Sequence, residues 1–284
     1  MAKGVTLEDF LDSEPGEGEG VEEDYEKTER PFVFINAAMS ADGKIATVDR
    51  TQTRISGSKD FDRVYSLRAE SDAIMVGIGT VLADNPSLTV KSKKQRDKRK
   101  RMGKDENPLR IVVDSKARTP VDADILNVGE GKRIIAVSQQ AIVEDVGKLG
   151  EKADVLVCGT AEVDLKKLLH DLWLRGVRSV MVEGGAKLNW SLLSQKLVDE
   201  VYTYVGNMIL GGETAPTLVD GAGFGERAAP VKLKLLRVEK LDEGVLLKWC
   251  VLHDKEAEEP KVEEEEEEIN IEELLGAESE NETT

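Results

Sequence analysis

The sequence predicts one α/β domain, with a mostly parallel mixed sheet, helices on both of its faces and an antiparallel hairpin at its C-terminal edge. Three observations carry that expectation. Short β-branched runs alternate with longer helical stretches; the runs are almost continuously apolar, as strands covered on both faces must be; and the last two runs are parted only by turn residues.

Taken in order, 32–37 reads as the first strand, 60–70 as a helix, and 73–76 as a buried strand running into Gly77. Further strands are expected over 110–113, 133–137, 155–158, 179–182 and 200–205. Amphipathic helices are expected over 164–175 and 188–196, where leucines recur at helical spacing. The runs 231–239 and 245–252 flank Asp242, Glu243 and Gly244, a composition that suits a tight hairpin turn.

Charge divides the 284 residues into three. The formal net charge is −17, but residues 1–30 carry −8 and 254–284 carry −13, which leaves 31–253 at +4. Both ends are too polar and too charged to bury a core, and they are read as disordered acidic tails around a domain spanning 31–253. Within that domain, 91–107 holds the run KSKKQRDKRKR. A flexible loop is the favoured reading; a nucleic-acid patch is less favoured, because no aromatic residue is interleaved with the cations.

Composition removes several classes of function. Cys158 and Cys250 each sit in an apolar run and cannot form a disulfide framework, which points to a reducing, cytoplasmic setting. The acidic start lacks the basic and apolar regions of a signal peptide, and no apolar window approaches the roughly 18 residues of a membrane span. His170 and His253 are the only histidines, so no metal site is expected. The H-x-E and C-x-x-C ligands of a zinc deaminase are missing as well.

What remains is chemistry at strand ends. In open α/β sheets ligands bind beyond the carboxyl ends of parallel strands, and three of those ends are glycine-rich. Gly77-Ile78-Gly79-Thr80 follows the second strand, Gly159-Thr160 a later one, and Glu183-Gly184-Gly185 the strand at 179–182. None matches the dinucleotide fingerprint or the phosphate loop. The first strand leads into Asn36, Ser40, Asp42 and Lys44, which gather an amide, a hydroxyl, a carboxylate and an amine within nine residues.

These features fall inside longer blocks. NAAMSADGKIAT, LRAESDAIMVGIGTVLADNPSLTV, NPLRIVVDSKARTP, VMVEGGAKLNWSLLSQKLVDEV and ILGGETAPTLVDGAGF together resemble the riboflavin-biosynthesis reductase family, in the family's order, over 31–251. The resemblance implies a dihydrofolate-reductase-like fold and NADPH-dependent hydride transfer to C1′ of a ribosylaminopyrimidine 5′-phosphate. It implies a homodimer too, for which 198–210 is the expected interface strand. By position it assigns Asn36, Ser56, Arg68, Leu88, Lys91 and Glu183 to the substrate, with Arg68 as a bidentate phosphate grip. Asn36, Asp42, Lys44 and Glu183 are the candidates for catalysis. Thr80, Asp84, Asp114, Ser115, Lys116, Gly159, Glu183, Gly184, Gly185 and Ala186 are assigned to the cofactor. An Asp114 carboxylate that rejected the 2′-phosphate would favour NADH instead. The rival readings are a reductase of the same fold acting on a pterin or folate, and a nucleic-acid-binding protein using the basic run.

Overall fold

Alternate side chains of a strand face opposite ways, and here each direction meets its own layer. The strands are β1 (Phe32–Ser40), β2 (Ala73–Gly77), β3 (Leu109–Val113), β4 (Arg133–Val137), β5 (Asp154–Val157), β6 (Ser179–Val182), β7 (Glu200–Gly206), β8 (Lys232–Leu241) and β9 (Gly244–Leu252). Val33, Ile35, Ala73, Met75, Val180 and Val182 enter one core cluster, whereas Phe32, Phe34, Ile74, Val76 and Met181 enter the other. This computed structural model describes residues 29–50, 53–225 and 229–253; the expected acidic tails otherwise lie outside the described residues.

The sheet runs β5-β4-β3-β2-β6-β1-β7-β9-β8. From β5 to β7 all pairings are parallel, while β9 runs antiparallel to both β7 and β8. The helices are α1 (Ser58–Glu70), α2 (Ile78–Asp84), α3 (Lys93–Arg101), α4 (Asp124–Asn127), α5 (Val143–Gly150), α6 (Leu165–Leu174) and α7 (Ala186–Ser194). Leucines of α6 and α7 pack on the first cluster; Ile78 and Val81 of α2, Ile125 and Leu126 of α4, Leu149 of α5, and Val64 and Leu67 of α1 pack on the second. The expected α/β class, the mixed sheet and the closing hairpin are all present.

Two expectations need correction. The basic segment read as a flexible loop carries α3, because Lys, Arg and Gln are good helix formers and the helix has an inward face. Ser92 caps its start, Gln95 Nε2 donates to Ser66 Oγ at 2.9 Å, and the buried Arg99 donates to the carbonyls of Ala69, Ser71 and Asp105 at 2.8 Å each. The second correction concerns 198–210. Its strand, β7, is hydrogen-bonded to β1 on one side and β9 on the other, so its edges are not free for a second subunit.

The hairpin also reaches back to the start of the fold. Asp242, in its turn, accepts from the α1 backbone N–H groups of Asp60 at 3.1 Å and Lys59 at 3.4 Å, and so supplies the N-terminal cap that Gly57 cannot. A Cβ at Gly57 would collide with the Asp242 carboxylate, so glycine is required by close approach.

Arg110 is the largest fully buried side chain, inside an otherwise apolar β3. Its guanidinium donates to the carbonyls of Val128 at 2.6 Å, Gly129 at 3.1 Å and Glu130 at 3.2 Å, tying the α4–β4 loop to the sheet. Burial, helped by the nearby Arg133, brings its pKa down to about 10, and it remains charged at neutral pH. Arg110→Met should leave these carbonyls unpaired and destabilise the fold by about 3–5 kcal/mol, lowering Tm by roughly 10 °C. Thermal unfolding of the variant checks this.

Candidate active site

The parallel strands place the ends of β2, β6 and β1 side by side, and the pleat decides which side chains meet there. Ile35 of β1 is opposite Val182 of β6. One residue further on, Asn36 and Glu183 turn to the other face, the one covered by α1. There the last turn of α1 presents Arg68. Its Nε and Nη2 donate to the two carboxylate oxygens of Glu183, each at 2.6 Å, and Nη1 lies 3.5 Å from the Thr89 carbonyl. The Arg68 Cζ sits 5.9 Å from the Tyr65 ring centroid. Burial works against the guanidinium charge, but the Glu183 carboxylate outweighs it and raises the Arg68 pKa.

Beside this pair Asn36 is buried, and its Oδ1 has no hydrogen-bond partner among the described residues. A buried amide oxygen left unmatched by the protein is an acceptor available to a ligand. Ser56 is also buried, on the approach to α1.

On the other side of Glu183, the chain turns through Gly184 and Gly185, joined by a cis peptide, into α7. The Gly184 carbonyl accepts from the Gly77 N–H at 2.8 Å, which holds this turn against the end of β2. A Cβ at Gly184 would meet only Thr80 Oγ1 at 3.8 Å, and one at Gly185 would meet the same atom at 3.2 Å. Gly79 faces open space within 4 Å. Gly79, Thr80, Gly184, Gly185 and Ala186 therefore form a shallow backbone-lined cradle at the ends of β2 and β6.

Other residues singled out from sequence are engaged differently. Asp114 is completely buried; it accepts from Thr119 N at 2.7 Å, Thr119 Oγ1 at 2.9 Å and Arg118 Nε at 3.2 Å, and so closes its own loop rather than facing a ligand. Ser115 Oγ accepts from Val163 N at 3.1 Å, leaving Lys116 and Arg118 as the exposed side chains of that loop. Gly159, with φ +92°, is required by its own turn: a Cβ there would run into the Glu162 carbonyl, so its missing side chain opens no room for a cofactor. Leu88 is core, packed in the second cluster at 2 % exposure, and only its backbone is left for a ligand. Asp84 is exposed at the end of α2, and Lys91 is exposed with Nζ 3.4 Å from Ser87 Oγ.

Asp42 and Lys44 face the 208–217 segment. The Asp42 carboxylate accepts from Ser40 Oγ at 2.5 Å, Leu210 N at 3.1 Å and Gly211 N at 2.7 Å, and Lys44 Nζ donates to the Ala215 carbonyl at 3.1 Å. Gly79 belongs to the glycine-rich strand end singled out from sequence, whereas Tyr65, Thr89 and Arg110 were not anticipated. For Arg110 a signal was there to be read, a lone charge at an inward position of an apolar strand.

The chain is similar to known proteins over most of its length. The family model of the RibD C-terminal domain matches residues 31–247. A 2,5-diamino-6-ribosylamino-4(3H)-pyrimidinone 5′-phosphate reductase of Archaeoglobus fulgidus is 51% identical over 213 residues, covering 75% of this chain and 93% of its own. One of the same name from Methanothermobacter thermautotrophicus is 47% identical over 222 residues, covering 78% and 99%. Among solved structures, Acinetobacter baumannii RibD aligns with a TM-score of 0.65 at 28% identity, over 80% of this chain and 59% of that one. The riboflavin biosynthesis reductase of Saccharomyces cerevisiae aligns with a TM-score of 0.60 at 26% identity, over 80% and 92%. By class the protein is an oxidoreductase, a reductase of riboflavin biosynthesis. The chain belongs to the RibD C-terminal domain family.

The hydroxyl of Ser40, followed by the Leu210 and Gly211 N–H groups, pulls the Asp42 pKa down to about 2. A depressed carboxylate contributes stability that is present above its unfolded pKa and lost as pH falls through the folded value. The stability difference between the wild type and Asp42→Asn should thus be constant above about pH 5 and shrink steadily from there to about pH 2 and below. Chemical denaturation at a series of pH values checks this; a difference that does not change between about pH 5 and about pH 2 contradicts it.

Proposed function

We propose that this chain reduces 2,5-diamino-6-ribosylamino-4(3H)-pyrimidinone 5′-phosphate with NADPH, at C1′ of the ribosyl group, to give the ribitylamino phosphate. The observation that carries this reading is the juxtaposition at the ends of β1 and β6: the unmatched Asn36 Oδ1 beside the Arg68–Glu183 pair, next to a cradle lined by Gly184 and Gly185. A bound nicotinamide supplies the hydride; the protein's part is to bind, orient and exclude water.

Gly79, Gly184 and Gly185, with Thr80 and Ala186 beside them, fit that cofactor, because among the described residues only the Thr80 hydroxyl comes within 4 Å of where the glycines' side chains would be. Lys116 and Arg118 are suited to the 2′-phosphate that distinguishes NADPH. The carboxylate that would have favoured NADH, Asp114, faces inward. Asn36 Oδ1 accepts a hydrogen bond from the substrate. Arg68 meets the phosphate with its charge and its remaining N–H groups, since Glu183 holds its bidentate edge. Lys91 adds a second, exposed cation. Asp42 and Lys44 are committed to a turn, so the proton comes from solvent.

A pterin or folate substrate would call for a buried carboxylate on α1. Asp60 is buried, but its Oδ1 is taken by Arg63 at 2.7 and 2.9 Å. The expected homodimer is better served by the outer edge of β8, which ends the sheet and exposes Leu233, Leu235, Leu236 and Val238. No helix among the described residues is long and apolar enough to cross a membrane, and the cytoplasm is the proposed location.

The deciding assay follows NADPH oxidation with the ribosylaminopyrimidine phosphate, its deaminated counterpart and dihydrofolate. Turnover with dihydrofolate alone would refute the proposal. Gly185→Val should weaken NADPH binding at least tenfold while circular dichroism stays unchanged, because the side chain fills the cradle beside Thr80. Arg68→Met should raise substrate KM by tens of fold and also lose about 2–4 kcal/mol of stability, since it strands Glu183. Arg68→Met combined with Glu183→Gln should recover most of that stability and none of the KM, which separates the structural role of the pair from its role in binding.

A further inference from the structure

The cations of α3 are the one feature singled out in the sequence that the site above does not use. They are arranged by face. Gln95 and Arg99 turn inward onto α1, whereas Lys93, Lys94, Asp97, Lys100 and Arg101 line one shallow outer groove. Lys100 is neutralised by Glu106, with Arg96 close by. Lys93, Lys94, Lys98 and Arg101 have no ion-pair partner among the described residues, and all four are exposed.

The helix is fixed next to the candidate site by two sets of contacts. Arg96 Nη1 donates to the carbonyls of Val90 at 2.7 Å and Lys91 at 2.8 Å, in the loop whose Thr89 carbonyl faces Arg68. Gln95 grips Ser66, two residues before Arg68 on α1. An unpaired positive surface is thus held rigidly beside the corner where Arg68 sits. The −17 of the chain resides in residues 1–30 and 254–284, whereas the domain of residues 31–253 carries +4. Within a Debye length, about 8 Å at physiological salt, nearby cations dominate.

We infer that α3 is an electrostatic guide for the phosphorylated substrate, with Lys93, Lys94, Lys98 and Arg101 raising its local concentration at the Arg68–Glu183 corner without contacting it once bound. This rests on the reading under Proposed function. Charge focusing of this kind speeds capture by roughly ten- to a thousandfold and is suppressed by salt. A single-stranded nucleic acid is the weaker fit, because α3 offers no aromatic side chain on which bases could stack.

The test replaces Lys93, Lys94, Lys98 and Arg101 with glutamine, which keeps helix propensity, and measures kcat and kcat/KM from about 20 to 300 mM salt at saturating NADPH. In the wild type kcat/KM should fall at least fivefold over that range while kcat holds steady. The quadruple variant should start about fivefold lower, depend little on salt, and converge with the wild type at high salt. Lys93→Gln with Lys94→Gln should show about half the effect, which covers a quadruple variant whose Tm has dropped. A folded variant with the wild-type salt slope overturns the inference and leaves the substrate assignment standing. Steep, salt-sensitive RNA binding that the variant loses while its kcat/KM slope is unchanged also overturns it. Absence of wild-type turnover at any salt removes the substrate assignment and the guide together.

Discussion

The bidentate pair between Arg68 and Glu183 is the contact on which the site depends. It joins the last turn of α1 to the first residue beyond β6, two elements 115 residues apart in sequence. Without the carboxylate, a guanidinium in this largely desolvated corner would keep only a long contact to one carbonyl and the Tyr65 ring; without the guanidinium, the carboxylate would face the glycine turn uncompensated. Ion pairs at such depth add little net stability, yet removing one partner is costly. Their value here is geometric: the pair fixes where α1 ends relative to Asn36 and to the turn into α7.

The glycines divide by physical cause. Among the described residues, Gly184, Gly185 and Gly79 leave space that only the Thr80 hydroxyl approaches. Gly159 and Gly57 are required by the chain itself, one by a left-handed turn under the Glu162 carbonyl and the other by the Asp242 carboxylate. The first group defines a surface for a ligand and the second a fold. A sequence shows all five as the same letter, and only the surroundings of each absent Cβ tell them apart.

Much of the fold was legible because strands covered on both faces must be apolar at consecutive positions, and β1, β2, β4 and β6 meet that condition almost without exception. α5 and α4 were not, since an eight-residue helix with two glycines and a four-residue turn carry too little periodicity. α3 was hidden by its own charge: its inward residues are Gln95, held by the Ser66 hydroxyl of α1, and Arg99, held by carbonyls at the end of α1. For the site, the ends of the strands already pointed to Asn36, Glu183 and the Gly184–Gly185 turn, and the family resemblance added Arg68; the structure gathers all of them. Position along the chain could not show that Asp114 and Leu88 point inward, because the direction of a loop side chain is set by partners such as Thr119 that only the folded state brings near.

The cap that Asp242 places on α1 has a consequence for synthesis. α1 is made early, yet the group that satisfies its first N–H donors is translated about 180 residues later, and Glu183 follows Arg68 by more than a hundred. On the ribosome, helix α1 therefore emerges with a frayed start and an unneutralised end; its end can be paired once β6 has emerged, but its start waits for the final hairpin. Contacts of such high order close slowly. The parallel strands can pair before then, whereas the start of α1 and the antiparallel edge of the sheet are completed together, when the last hairpin arrives.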